Sequence, residues 1–351
     1  MKNHLVALLS TATALHAAAA APDLYSETQL PDAAESSIHL SRQINQFIAA
    51  RGSEYRSMNE FASGMPTFGE AAFPLGATGP RGTKEKNMQG WIRIYGGIAE
   101  REASGNFSAY DSGNWGTLVG IDKSFGNLLI GLAGGYARAD LDSESYDANI
   151  NTYFGSLYST AAGESLFIDL ALTYGISDTT ESNVSMDDAE FDSDLISLYA
   201  GSGWRFKIAD IISLTPDTSL LMTHYAQDGY ARTAGTIDEY KTTSFQGSLG
   251  INVSTIHQID WLSQGLAFIP ELRLDYIHEF EADPDSFNYT TGGITDSFAV
   301  RPRIENMARI GLGFDVWSWE YQNTKFEVDY DGLFADGYSE QILSGKITFR
   351  F

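Results

Sequence analysis

From Met88 to Phe351 the chain alternates between apolar and polar residues with a period of two. In Ser244–Thr255 one parity reads Phe245, Gly247, Leu249, Ile251 and Val253, and the other Ser244, Gln246, Ser248, Gly250 and Asn252. In Leu266–Ile277, Leu266, Phe268, Pro270, Leu272, Leu274 and Tyr276 oppose Glu271, Arg273 and Asp275. In Arg303–Val316, Ile304, Ala308, Ile310, Leu312, Phe314 and Val316 oppose Arg303, Glu305, Arg309 and Asp315. In Lys325–Gly332, Phe326, Val328 and Tyr330 oppose Lys325, Glu327, Asp329 and Asp331. Successive side chains of a strand point to opposite faces, so each parity is one face.

A soluble sandwich would alternate in the same way, and three further features separate the two readings. The apolar parities are five or six positions long, which fits a tilted membrane crossing of about 10 residues. The polar parities carry charges of both signs at mid-strand, which a wet lumen permits and a dry core does not. Aromatic residues mark run ends, at Trp204 and Phe206, Trp261, and Trp317 and Trp319, as at a membrane interface. Runs near 89–99, 114–124, 127–140, 149–160, 164–177, 192–207, 210–225, 241–257, 265–281, 302–318, 320–332 and 340–351 predict an all-β fold, a transmembrane antiparallel β-barrel of about twelve strands. An even number is the rule for such barrels. Short connections around Gly126, Ala162 and Ser318 alternate with longer ones near 178–191, 226–240 and 282–301. The lumen-facing set expected from this parity is Asp169, Glu271, Arg273, Asp275, Arg303, Glu305, Arg309, Glu327, Asp329, Lys346 and Arg350.

The preceding residues follow other rules. Residues 1–20 read as a signal peptide: Lys2 and His4, an apolar stretch from Leu5 to Leu15, then Ala17–Ala21 before Pro22. That stretch is too short to span a bilayer as a helix, and no later window is long and apolar enough to do so. Residues 21–87 form an N-terminal helix and linker. Ser36 and Ser37 offer a cap, and Leu40, Ile44, Phe47 and Ile48 share one helical face. Gly52 predicts the stop, giving a helix over 38–51 of about 21 Å at 1.5 Å per residue. Ser53–Asn87, rich in Gly and Pro, reads as a linker or irregular plug. If the helix enters the pore, Arg42 and Arg51 are expected to meet lumen acids such as Asp169, Glu271 or Asp275. Residues 65–87 are an equal candidate for the pore segment.

Composition removes several function classes. The 351 residues carry 22 Lys+Arg against 46 Asp+Glu, a formal charge of −24, with no basic cluster for nucleic acid. Cysteine is absent, so there is no disulfide framework or thiolate metal site. Acidic stretches at Asp178–Glu181 and Asp187–Asp194 read as solvated loops, without ordered metal-ligand spacing. His39 lies in the helix, and His224, His257 and His278 stand singly at strand ends. No hydrolase, P-loop or EF-hand motif appears. His278 with Asp283 or Asp285 is the one pairing a rim-type hydrolase would need. The expectation is no catalytic, cofactor or metal site.

The final run places Leu343, Gly345, Ile347, Phe349 and Phe351 on one face, which resembles the assembly signal of outer-membrane barrels. The segments Gln89–Gly97, Trp115–Lys123 and Leu129–Tyr136, Gly-rich and aromatic, resemble the opening strands of an autotransporter β-domain. The resemblance covers about 88–351. It implies a type V secretion translocator barrel in a Gram-negative outer membrane, threaded by a helix or linker and carrying an upstream passenger to the cell surface. It also implies a monomer in a lipid bilayer, inserted with the help of periplasmic chaperones and the barrel-assembly machinery. Family passengers are usually long β-helices. Residues 21–87 contain no repeat and read as a plug or vestigial passenger. A porin-like channel and an adhesin acting through loops 178–191 and 282–301 are the alternatives on the same fold.

Overall fold

The computed structural model describes residues 30–64 and 87–351, apart from 106, 145, 184–186, 210, 234, 260–265, 282–284 and 319–323. Among the described residues one helix, α1 (Leu30–Gly64), precedes eighteen strands: β1 (Met88–Arg101), β2 (Tyr110–Phe125), β3 (Leu128–Ser143), β4 (Tyr146–Ala162), β5 (Leu166–Asn183), β6 (Ala189–Trp204), β7 (Phe206–Ala209), β8 (Ile212–Gln227), β9 (Tyr230–Arg232), β10 (Gly235–Ile237), β11 (Tyr240–Thr255), β12 (His257–Ile259), β13 (Leu266–Glu279), β14 (Ser286–Thr291), β15 (Ile294–Ala299), β16 (Asn306–Ser318), β17 (Thr324–Ala335) and β18 (Tyr338–Arg350). Twelve of these are long, and each pairs antiparallel with the next around a closed ring. β8 meets β11 from Tyr240↔Gln227 to Thr255↔Ile212, and β18 meets β1 from Gln89↔Arg350 to Arg101↔Tyr338. Closure leaves no free edge in the barrel, the condition for crossing hydrocarbon with strands.

The two ends differ. The connections that follow β2, β4, β6 and β11 lie at one end, where the short strands β7 and β12 pair with β8 and β13. Gly126 makes the turn after β2 with φ 62°, a conformation that favours glycine. The longer connections at 102–109, 228–239 and 280–305 lie at the other end, and two of them build their own four-stranded sheet in the order β15-β14-β10-β9. Asp187, beside this sheet, accepts hydrogen bonds of 2.8 Å from both the backbone N–H and the hydroxyl of Thr233. These hold its carboxyl below the usual carboxylate range, the backbone bond most of all.

The outward parity is apolar around the ring. Leu249, Leu272, Leu274, Ile310, Leu312, Phe326, Val328 and Leu343 are all exposed on the outer face. Trp204 and Phe206 stand outward at the short-turn end with ring centroids 6.3 Å apart. Trp115, Tyr136 and Tyr153 form a second outward cluster nearer the loop end, with centroid spacings of 5.5 and 5.2 Å. These are two aromatic belts bounding an apolar band. Trp261 and Trp319 lie outside the described residues, and of Trp317 only the backbone is described.

Several expectations need correction. The helix is 35 residues long, about 52 Å, and does not stop at Gly52. A Cβ at Gly52 would come within 2.5 Å of Thr160 Oγ1 and 2.6 Å of Asp169 Oδ1, so the glycine serves close approach to the wall rather than a cap. The acidic stretch 178–181 is strand, because β5 runs to Asn183 and the connection to β6 is short. β16 begins at Asn306, which leaves Arg303 and Glu305 in the segment before it. The parity rule does not reach them there. Residues 1–20, 21–29 and 65–86 lie outside the described residues.

Candidate functional site

The lumen holds α1. Ala33, Ala34 and Ile38 sit at the loop end, in an apolar cluster with Tyr110, Tyr146, Phe191, Tyr230, Phe287 and Tyr289. At the other end the Tyr55 hydroxyl donates to the Gly126 carbonyl at 2.5 Å. The helix therefore runs with its N-terminal end toward the loops and leaves at the short turns, where β1 begins.

One flank of the helix packs on an apolar wall. Leu40, Ile44, Phe47 and Ile48, the face legible in the sequence, meet Trp91, Tyr95, Leu118, Leu129, Phe154 and Tyr158 of β1–β4. The wall accepts a helix because its glycines let aromatic rings lie flat. A Cβ at Gly120 would stand 2.3 Å from the Trp91 ring, and one at Gly116 would stand 2.6 Å from Tyr95. The resemblance to a family had singled out these Gly-rich strands, and the packing supplies their physical reason. Trp91 Nε1 donates to Tyr158 Oη at 2.9 Å, and Tyr158 donates to Asp122 Oδ2 at 2.9 Å, so both buried polar tips are satisfied.

Charged pairs fix the register of the helix along the pore. Arg42 Nη2 donates to Glu340 Oε2 at 2.6 Å, and Gln43 Nε2 to Glu340 Oε1 at 2.5 Å. Arg51 is fully buried and makes a two-pronged contact with Asp122 at 2.7 and 2.9 Å, with Gln89 Oε1 at 2.6 Å. Glu54 forms ion pairs with Arg51 at 2.6 Å, Lys346 at 2.8 Å and Lys325 at 3.4 Å. Arg56 clasps both oxygens of Asp169 at 2.8 and 2.7 Å, its guanidinium 3.5 Å above the Phe167 ring. Asn45 Nδ2 donates to Ser197 Oγ at 2.8 Å near mid-helix. Removing one partner of a buried pair leaves an uncompensated charge, at about 3–5 kcal/mol, so these contacts discriminate strongly against a shifted helix.

The expected lumen residues fall into two groups. Asp169 faces the helix but binds Arg56; Arg42 and Arg51 take Glu340 and Asp122 instead. Glu327, Asp329 and Lys346 are buried on β17 and β18, where Arg93 pairs with Glu327 and, at 3.0 Å, with Asp329. Arg273 pairs with Asp329 at 2.8 Å, and Arg309 with Asp331 at 2.8 Å and Asp275 at 3.4 Å. Glu271 accepts from Asn252 Nδ2 and stands 3.6 Å from Arg273. Arg350 keeps the inward parity at the short-turn end, half-buried. Arg303 lies at the loop-end mouth beside Thr242 and Asp285, and Glu305 is exposed. Leu343 and Phe349 face outward with Phe351 exposed beyond them, on the side shared by Gly345 and Ile347. His278 Nδ1 lies 3.0 Å from Asn306 Oδ1, while the Asp285 carboxylate turns to Thr242 and Arg303, so that pair is not brought together; Asp283 is outside the described residues.

The helix partners Asp122 and Glu340, and Glu54 and Arg56 on the helix itself, were not singled out in the sequence. Asp122 follows Ile121 in a Gly-rich strand and Glu54 lies beyond the expected helix stop, so neither stood in a clean alternating or helical run. Arg93, between Ile92 and Ile94, did carry the inward-parity signal.

Comparison with known proteins agrees with this geometry. The family model for the autotransporter beta-domain matches residues 90–331. A putative uncharacterized protein, YaiT of Escherichia coli K12, is 25% identical over 248 residues, which is 66% of this chain; the chain spans only 25% of that relative's length. Among solved structures, the translocator domain of autotransporter NalP from Neisseria meningitidis superposes with a TM-score of 0.60 at 16% identity, over 77% of this chain and 91% of that one. The transport unit of AIDA-I from E. coli gives 0.61 at 16% identity, over 80% and 94%. The beta domain of the Bordetella autotransporter BrkA gives 0.57 at 16% identity, over 76% and 100%.

Proposed function

Since the chain belongs to the autotransporter β-domain family, whose members are outer-membrane β-barrels of type V secretion, we propose that it passes the segment preceding α1 to the cell surface and is then closed by α1 itself. The single observation that carries this reading is the direction of the helix. Its N-terminal end points to the long loops, which face outward in outer-membrane barrels, and its C-terminal half is tied to the short-turn end by Arg51, Glu54 and Arg56. A chain drawn outward through the pore would halt where these charges find their partners. The driving contribution is then local: each buried pair is complete only at one register.

Residues 1–20 serve in this reading as the export signal. The outward face of Leu343, Gly345, Ile347, Phe349 and Phe351 is the surface offered to assembly factors before lipid covers it. A wide solute pore is disfavoured because the helix occupies the lumen. The test is an epitope tag inserted at 25–28, ahead of α1, in cells carrying the full chain. The tag should be labelled and protease-sensitive on intact cells while the barrel stays in the outer-membrane fraction. A tag accessible only after the outer membrane is opened would end the proposal.

A further inference from the structure

The outward apolar surface does not stop at the same level on every side of the barrel. Along β6 the outward parity carries Ile196, Leu198 and Trp204, each exposed. The β5–β6 ladder ends at Leu166↔Trp204, where the β4–β5 hairpin turns back. There the Arg205 N–H leaves the line of β6 and donates to the Ser165 carbonyl at 3.0 Å. β7 then follows β8 for four more residues, about 13 Å at 3.3 Å per residue, with no strand on its other side among the described residues. Pro216 of β8 falls between the β6 and β7 ladders, where a missing N–H costs no ladder bond.

This extension is apolar. β7 is exposed on both faces; Phe206 is 48% and Ile208 63% exposed, and Ile211, just ahead of β8, is 49% exposed. Neighbouring connections at the same end are built differently. Gly126–Asn127 and Gly163–Glu164–Ser165 are short and polar, as turns in water are. A patch of large apolar side chains on a projecting tip marks a contact surface. Continuity indicates what covers it. Trp204 and Phe206 stand in the same outward row as Ile196 and Leu198, and Leu214 of β8 lies opposite Phe206. The patch therefore prolongs the surface that faces lipid.

We propose that the β7–β8 hairpin is a membrane foot, which lays Phe206, Ile208 and Ile211 into the headgroup–acyl boundary of the phospholipid leaflet at the short-turn end. Large apolar side chains are stable at that depth. Lys207, between Phe206 and Ile208, carries its charge over an apolar stem toward the level of the phosphates. The irregularity between Lys207 and Ala209 is of the kind that bends a strand and re-aims its side chains. The foot makes the apolar band taller beside β6 and β8 than beside β4 and β5. It is independent of whether any segment is secreted.

The chain has no cysteine, so Ile208→Cys in the full chain takes one bimane label. The folded barrel is placed in phosphatidylethanolamine–phosphatidylglycerol vesicles. Leu249→Cys on the outward band and Asp296→Cys on the loop sheet, labelled in the same way, serve as references. The label at 208 should be quenched by spin-labelled lipid, as at 249, and should resist aqueous iodide several-fold better than at 296. A label at 208 that iodide quenches and lipid does not overturns the proposal. So does one shielded from both, since protein rather than lipid would then cover the tip.

Discussion

The two halves of the pore wall face the same helix and solve different problems. β1–β4 present Trp91, Tyr95, Phe154 and Tyr158 over small residues, and the helix lies against them with an apolar face. β13, β16 and β17 present Glu271, Arg273, Arg309, Glu327 and Asp329, a web of charges satisfied mostly among themselves, beside a lumen cavity of about 130 Å³ that Glu271, Arg273 and Arg309 help to line. On the lipid side the two halves are alike. The bilayer imposes one requirement on every strand, whereas the lumen sets one half of the wall against the helix and the other beside a cavity. The outward face is thus a property of the fold class, and the inward face is a property of what occupies this particular pore.

Four substitutions would break or sharpen that contrast. The largest effect is expected from Asp122→Ala on the packed half. It removes the two-pronged partner of the fully buried Arg51, which is left with Glu54 as its counter-charge, and it removes the acceptor of Tyr158. A loss of about 3–5 kcal/mol should appear as a lower urea midpoint of the detergent-folded barrel and as proteolysis of the helix. Next, Leu312→Arg or Leu249→Arg should each cost about 2–4 kcal/mol near the membrane midplane and lower the heat-modifiable, outer-membrane form on gels. These sites flank the charged lumen, so normal yield would show that charge on that half is tolerated outside as well as inside. The smallest effect is expected from Asp217→Asn. It borders the cavity and, among the described residues, touches no cation at ion-pairing distance, so its stability should move within about 0.5 kcal/mol. A loss comparable to Asp122→Ala would mean that the cavity side is packed after all.

Much of the barrel could be read from the sequence for the reason this contrast supplies. Leu272, Leu274 and Tyr276 alternate with Arg273 and Asp275 because one set meets lipid and the other water, and so β13 stood out. β2 did not announce its inward residues, because Leu118 points to an apolar helix and Val119 to apolar lipid; alternation vanishes when both faces are dry. The helix face Leu40, Ile44, Phe47 and Ile48 was legible, but its length was not. Gly52 signals a stop locally, and only the distance to Thr160 and Asp169 explains a glycine in mid-helix. The partners of Arg42 and Arg51 depend on how far the helix is pushed in and how it is turned. Both are settled by the whole seat rather than by any short stretch, so Asp169 was assigned to the wrong arginine. Arg303 and Glu305 show the same limit at a strand end, where parity outlasts the ladder that gives it meaning.

The central claim is that α1 sits in the lumen at one register. Asn45 and Ser197 make a side-chain contact of 2.8 Å across the helix–β6 boundary. With cysteines at these two positions in an otherwise cysteine-free chain, mild oxidation of outer-membrane fractions and a non-reducing gel read that contact directly. The account predicts near-complete cross-linking in the folded, heat-modifiable form. A folded barrel whose two cysteines remain free, or that links only after denaturation, would contradict it.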